Sequence, residues 1–268
     1  MNKCSYFVKN KALFGSYPGE EQVAELEANG VKYFVDLTCD GERNIVKYKP
    51  SDDSVYINYP IVDHRVPSNW GTFARFIIRV TKIIKELNPD EKVYVHCKGG
   101  HGRAGIVVAC ILCHLYKIPQ VDALVLTSKY HHDRSEMRDK WREIGSPQSK
   151  NQKAFVTKFF TPLTFYQVYS RGYTTGFSNM APFGVVYNEE EFKTSDDAIK
   201  KFGEEHAYDI IKAKFEQNPA IKESLTNTGI RPLWYHLKGD LHWGCWNGDG
   251  ENKLGKMLYA IRDEFYNE

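Results

Sequence analysis

Val93-Tyr-Val-His-Cys-Lys-Gly-Gly-His-Gly-Arg103-Ala-Gly-Ile-Val-Val-Ala-Cys-Ile-Leu112 decides how the rest of the chain is read. Its β-branched and aromatic start predicts a short buried strand that ends at His96-Cys97. A glycine-rich turn of five residues leads to Arg103, and the apolar run after it predicts a helix. Gly99, Gly100 and Gly102 let the backbone curl so that successive N–H groups face inward, a nest for a tetrahedral dianion. The positive end of the helix adds to the same point. Arg103 offers a planar fork that grips two phosphoryl oxygens, which a lysine cannot do. This positive field favours the thiolate of Cys97, the form that attacks phosphorus. A core cysteine beside a tight turn would need neither the glycines nor the arginine. The expected phosphate cradle is therefore Lys98, Gly99, Gly100, His101, Gly102 and Arg103, with Cys97 as nucleophile beneath it.

Composition bounds the setting. At 268 residues, with 42% hydrophobic and 26% charged residues, the chain suits one large or two modest globular domains. No apolar run approaches membrane-spanning length, since the longest, near Ile106 to Tyr116, is interrupted by His114. Met1-Asn-Lys-Cys-Ser-Tyr6 lacks a secretory apolar core, and the cysteines (4, 39, 97, 110, 113 and 245) show no paired spacing. A reducing, cytoplasmic setting is expected. Charge divides unevenly: residues 1–162 hold 24 Lys and Arg against 18 Asp and Glu, whereas 163–268 hold 12 against 16. The basic part suits anionic substrates, while the acidic part argues against wrapping nucleic acid with the whole surface.

Upstream of the signature stretch, Ala12 to Gly19 reads as strand and turn, Glu20 to Ala28 as a short helix stopped by Asn29-Gly30, and Val31 to Leu37 as a strand. Thr38 to Lys49 is a polar loop centred on Glu42 and Arg43, expected beside the phosphate site. Val55 to Tyr59 is a further strand, and Phe73 to Leu87 a helix with a core stripe. Strands alternating with helices predict an α/β fold with a largely parallel central sheet covered by helices. Asp63 lies in the loop Tyr59-Pro-Ile-Val-Asp-His-Arg-Val-Pro67-Ser68, close to a chain-bending proline on either side. A general acid needs such a place, near the leaving oxygen yet mobile. His64 is a weaker candidate for any role. Pro119 opens another helix, and the charged stretch His131 to Arg142 is expected to be a solvated face. His131-His132-Asp133 lacks a further ligand at suitable spacing, so neither metal nor cofactor is expected.

His96-Cys97, five residues and Arg103 resemble the signature loop of cysteine-based protein phosphatases, in the dual-specificity branch. The likeness covers about residues 5–160. It implies Cys97 as nucleophile, Arg103 as phosphoryl clamp and Asp63 as acid, then base. Gly145-Ser-Pro-Gln148-Ser-Lys-Asn-Gln152 is similar to the family segment that guides the attacking water, with Gln148 in that role and Gln152 its helical neighbour. Ser146 with Pro147 also reads as a helix cap. Ala104 stands where the family usually has Ser or Thr, a hydroxyl that would help the sulfur leave the phosphoenzyme. Slower second-step turnover is implied. The expected partner is a phosphorylated protein or another anionic phosphoester. Inositol lipids, RNA ends, or phosphate capture with weak turnover are alternatives.

Near Phe160-Thr-Pro-Leu-Thr164 the pattern changes, which sets expected domains at 1–162 and 163–268. The second is aromatic and glycine-rich from Phe165 to Phe183, then acidic and mostly helical. Gly176-Phe-Ser-Asn179-Met-Ala-Pro182, Phe192-Lys-Thr-Ser195-Asp196, Lys201-Phe202, Ala213-Lys-Phe-Glu-Gln-Asn-Pro219, Asp240-Leu-His-Trp243-Gly244 and Gly250-Glu-Asn252-Lys-Leu-Gly255 occur in order. Together they resemble the NADAR (YbiA-like) family. That family is associated with hydrolysis of N-glycosidic bonds in ADP-ribosylated guanine or riboflavin-pathway intermediates. The likeness implies an ADP-ribosyl or nucleotide ligand. Asp196 and Lys201 would supply acid and amine near the sugar, Trp243 would stack on a base, and Asn179 and Asn252 would bind ribose or phosphate oxygens. Tyr235 replaces a frequent Glu, and the segment from Phe202 to Ala213 is shorter than usual. A degenerate domain kept for ligand binding is the alternative.

Overall fold

The first strand escapes a reading by periodicity because its inward Ser5 is polar while Cys4 and Tyr6 lie on the less buried face. β1 (Cys4–Val8) turns back through Asn10, at φ 60°, to pair antiparallel with β2 (Ala12–Gly15). α1 (Glu20–Ala28), β3 (Val31–Asp36), β4 (Val55–Asn58), α2 (Trp70–Glu86) and β5 (Lys92–His96) follow, close to the expected bounds. α3 (Arg103–Tyr116), α4 (Gln120–His132), α5 (Asp139–Ile144) and α6 (Lys150–Phe160) complete this part. This computed structural model describes residues 3–166 and 174–266, in two compact units: Met1–Ser68 with Phe73–Lys158, and Asn69–Thr72 with Phe159–Glu268.

In the first unit the strands run in the order β1-β2-β5-β3-β4, all parallel except β1 against β2. β5 is central, and Val93, Tyr94, Val95 and His96 are all buried, as a strand covered on both faces must be. Tyr94 joins Leu13, Phe34 and the α1 residues Val23 and Leu26 in one cluster. By the two-residue alternation, Val93 and Val95 point to the opposite face. α3 is apolar around its whole circumference and buried from Arg103 to Cys113, packed on β5 and β2 and against α4. The carboxyl ends of β5 and β3 consequently open toward one place, where the loops after them converge.

Two local readings are corrected. α6 begins at Lys150, not at Ser146-Pro147, because Ser149 and Gln152 cap it reciprocally: Gln152 N–H donates to Ser149 Oγ and Ser149 N–H to Gln152 Oε1, both at 3.2 Å. Ser146 instead donates to the His101 carbonyl at 2.6 Å. The stretch from His131 is not wholly a solvated face, since His131 is fully buried; His132 and Asp133 are exposed.

The second unit has β6 (Leu163–Phe165) parallel to β9 (Leu233–Tyr235), and a hairpin of β7 (Val185–Tyr187) with β8 (Glu190–Phe192). Asn188 and Glu189 make the hairpin turn, both with positive φ. α7 (Ser195–Phe202), capped by Thr194, leads through a tight helical turn at Glu204–His206 to α8 (Ala207–Gln217), α9 (Pro219–Thr226) and α10 (Lys253–Phe265). Phe165, Phe177, Ile210, Ile211, Phe215, Leu225, Leu258 and Ile261 form its core. Tyr235 belongs to that core, stacked on Phe165, so the position of the family's frequent Glu is here packing. Of the aromatic stretch from Phe165 to Phe183, residues 167–173 lie outside the described residues.

Candidate active site

Cys97 directly follows β5 and is buried, and the turn after it folds against β2. Gly100 sits at φ 74°, and a Cβ there would lie 2.3 Å from the carbonyl carbon of Gly15, so only glycine permits the approach. A Cβ at Gly102 would meet the Gln152 amide at 2.8 Å. Ser146 fastens the turn through the His101 carbonyl, and Arg134 donates to the carbonyls of Gly100 at 3.0 Å and Phe14 at 3.2 Å. Arg134 is buried with its guanidinium over the Phe14 ring, and burial pulls its pKa down to about 10. The loop is thus braced from behind by groups that do not enter the pocket.

Arg103 opens α3 and is 2% exposed. Its guanidinium makes a two-pronged pair with Glu42, donates to the Ile61 carbonyl at 2.9 Å, and lies 2.8 Å from Asp63 Oδ1. Burial works against its charge, but Glu42, Cys97 and Asp63 outweigh burial and hold its pKa above the ordinary value. Asp63 itself is half-exposed at 42%. Next to it His64, at φ 59°, meets Gln148 Nε2 with its Nδ1 at 2.9 Å. A pocket of about 30 Å³ brings together Cys97, Arg103, Asp63, His64, Gln148, Gln152, Gly99, His101 and Gly102. Lys98 is absent from that lining. It turns its amine to the Arg43 carbonyl, 2.7 Å away.

Behind Cys97, His96 is fully buried, and Tyr48 Oη meets its Nε2 at 2.6 Å. Asp36 stands 3.8 Å from its Nδ1 and accepts from Tyr56 Oη at 2.6 Å and from the Thr38 hydroxyl at 2.8 Å. Burial pushes the pKa of His96 down to about 4, so the ring is neutral at pH 7. Burial and the neighbouring Arg134 do the same to His101, about 4, and to His131, about 3.

Three residues of this site were not legible in the sequence as site residues. In the sequence Glu42 is only the middle of a polar loop; its value lies in pairing with Arg103 across 61 positions of chain. Arg134 and His131 stood in a stretch whose charge suggested solvent.

In the second unit the candidates are engaged one by one, and among the described residues only Asn179 and Asp196 are in contact with each other, through the backbone. Asp196 pairs with Lys200 at 2.6 Å, and Lys201 with Glu190 while lying over Phe192 and Phe202. The backbone carbonyl of Asn179 accepts from Asp196 N–H at 3.0 Å and from Ser195 Oγ at 3.1 Å, which ties Asn179 to the start of α7. Lys253 lies over Trp243. Asn252, at φ 51°, accepts from Tyr235 N–H at 2.9 Å and donates to the Leu233 carbonyl at 2.8 Å, so its amide holds β9. Lys214 is a further unusual group: fully buried, it donates to the Ser178 carbonyl at 2.8 Å, and burial pulls its pKa down to about 7.

The model of the phosphatase domain named PTP-SAK (Swiss Army Knife protein, DSP-PTPase phosphatase domain) matches residues 1–156. The chain belongs to this family. The PTP-SAK assignment agrees with whole-length relatives. Protein 067L of Invertebrate iridescent virus 3 is 44% identical over 264 residues, 98% of this chain and 93% of that protein. Protein 197R of Invertebrate iridescent virus 6 is 32% identical over 274 residues, 98% of this chain and 96% of that protein. Both bear the name of tyrosine phosphatases. The N-glycosidase YbiA of Shigella boydii is 36% identical over 55 residues, 20% of this chain and 34% of that protein. A phosphatase domain of the dual-specificity type is therefore joined to a NADAR-like C-terminal region. Among the described residues no helix is long and apolar enough to cross a membrane.

Proposed function

We propose that the chain hydrolyses phosphomonoesters through a phosphocysteine intermediate in a domain spanning residues 1–162. Residues 163–268 form a second domain for an ADP-ribosyl or nucleotide ligand, whose N-glycosidic bond is cleaved there. One observation carries the first part: Cys97, Arg103, Asp63 and Gln148, from three separate loops, line one small pocket.

The Cys97 sulfur forms a bond to phosphorus as the ester P–O bond breaks, and Asp63 gives a proton to the departing oxygen. Arg103 and the loop amides, with Gly99 and Gly102 making room, stabilise the oxygens of the transferring group. Gln148 orients a water whose oxygen then bonds to phosphorus. Asp63 takes that water's proton, the S–P electron pair returns to sulfur, and inorganic phosphate departs. Glu42 keeps Arg103 in plane throughout. All six cysteines are free thiols, which suits a cytoplasmic, reducing setting. Phosphorylated proteins and other anionic phosphoesters are the substrates in view.

The test is turnover of para-nitrophenyl phosphate and a phosphotyrosine peptide by the full chain, with the phosphocysteine adduct trapped in acid and read by mass spectrometry. Hydrolysis that survives Cys97→Ser overturns the reading. For the second domain, the full chain is offered ADP-ribosylated guanosine and riboflavin-pathway intermediates. Release of base that Asp196→Asn abolishes supports the assignment, and inertness toward all of them leaves ligand binding alone.

A further inference from the structure

A second and larger cavity, about 500 Å³, adjoins the phosphate loop. Gly99 and His101 line both it and the small pocket over Cys97, so the two spaces meet at these residues. Lys3, Arg134, Arg138 and Trp141 also line it, with Glu136 as its carboxylate. Neither Lys3 nor Arg138 has an ion-pair partner among the described residues, and both side chains are exposed. With Arg134, three cations stand against one carboxylate in the lining, an excess that raises the local concentration of anions.

The shared wall supplies a donor of its own. His101 Nδ1 and His131 Nε2 lie 2.7 Å apart, and one of them must donate. His131 Nδ1 is buried without a partner. An orphaned N–H costs more in such a place than a bare lone pair, so His131 carries its proton on Nε2 and donates it to His101. His101 then carries its own proton on Nε2, which has no partner among the described residues. Its ring is kept in place by stacking on Trp141, centroids 4.5 Å apart at 15°. A neutral imidazole thus presents an N–H at the partition, and Lys3 and Arg138 wait beyond it.

We propose that this cavity is a substrate subsite that takes the second phosphate of a doubly phosphorylated ester whose scissile phosphate lies over Cys97. The inference rests on the phosphatase reading and narrows its substrate class. A cation-lined space beside the loop, roomy enough for a phosphate and the linker that carries it, suits a dianion on the same molecule as the reacting phosphate. Glu136 repels an anion at its edge of the cavity, so the second phosphate is held toward Arg138 and the partition at His101. The chemistry is met by a nucleoside 3′,5′-bisphosphate or by a peptide with two neighbouring phosphorylated residues.

The experiment compares the full chain with Arg138→Gln and Lys3→Gln on three kinds of probe. These are para-nitrophenyl phosphate, a nucleoside 3′,5′-bisphosphate against its 5′-monophosphate, and a doubly against a singly phosphorylated peptide. The unaltered chain is expected to favour at least one doubly phosphorylated probe over its single counterpart by about tenfold in kcat/KM. Arg138→Gln is expected to raise KM for that probe about tenfold, with para-nitrophenyl phosphate hydrolysis unchanged. The probe pair that shows the preference identifies the source of the second phosphate. Equal use of single and double phosphates, with para-nitrophenyl phosphate still hydrolysed, overturns the subsite and leaves the phosphatase reading standing. Should nothing be hydrolysed, calorimetric binding of the same pairs to the full chain decides. Tighter binding of the double phosphate that Arg138→Gln abolishes supports the subsite, and equal binding overturns it.

Discussion

In the first unit Cys97, Asp63, Arg103 and Gln148 line one pocket although they come from distant parts of the chain. In the second, Asp196, Lys201 and Asn252 are each satisfied close to home, by Lys200, Glu190 and the backbone of β9. The difference lies in how each site is encoded. A phosphate loop is a run of consecutive residues whose backbone makes the site, so once the strand and helix form, the loop has little freedom left. A site built only of side chains from several elements is less protected, because any of them can be drawn into an ion pair that serves stability instead.

The sharpest way to break this contrast is to remove the nucleophile. Cys97→Ser is expected to lower phosphatase turnover by at least about 10⁴-fold while the chain still folds, because the exchange swaps one buried atom. Asp63→Asn should cost about 10²-fold to 10³-fold, and the loss should be smallest on substrates whose leaving group needs no proton. Arg103→Lys should cost about 10²-fold, since an ammonium cannot reproduce the two-pronged grip on Glu42 and phosphate together. Steady-state rates on para-nitrophenyl phosphate and on an alkyl phosphate check all three. Equal losses of Asp63→Asn on both substrates would remove Asp63 as the acid.

The contrast also explains what was legible in the sequence. The strand, the glycine turn and Arg103 are neighbours in the chain, and Asp63 is marked by the prolines near it, so local pattern sufficed. Glu42, Arg134 and His131 owe their roles to partners far away in sequence, and a single chain read by periodicity carries no sign of such pairings. β1 shows no clean alternation, because Ser5 is polar yet buried while Cys4 and Tyr6 take the less buried face. Lys214 left a trace that could have been used. In α8 the buried residues Ala207, Ile210, Ile211 and Phe215 keep helical spacing, and Lys214 falls on the same stripe, where charge is out of place.

Buried titratable groups sharpen the comparison next, through pH windows that differ between the units. His96 has its pKa lowered from 6.5 to about 4 by burial. The unfolded chain therefore binds its proton first, and the stability this ring allows is complete above pH 6.5 and lost as pH falls toward 4. Going from pH 7 to pH 5 should cost the first unit ~2 kcal/mol from His96 alone. Lys214 is lowered from 10.5 to about 7, so the second unit should still gain stability as pH climbs from 7 toward 10.5. Hydrogen exchange of the full chain, read separately in α3 and α8, checks both slopes. A flat response of α8 between pH 7 and pH 10 would mean that Lys214 finds solvent in the native state.

The smallest expected effect concerns the residue after the arginine. Ala104 is fully buried in the first turn of α3, beside the clamp and one helical step from the cysteine loop. With a methyl group there, no hydroxyl stands ready to donate to the sulfur as it leaves phosphorus. The first step is untouched by this, because the thiolate is then the attacker and needs no donor. Full-length protein mixed rapidly with para-nitrophenyl phosphate should accordingly release a burst of nitrophenol, followed by a slower steady rate. Ala104→Ser should raise the steady rate by up to about tenfold and shrink the burst, the worth of one hydrogen bond to a charged group. A linear time course in the unaltered chain would show that sulfur departure is not the slow step, and the serine variant would then bring no gain. Either outcome separates phosphate capture from turnover at the same loop.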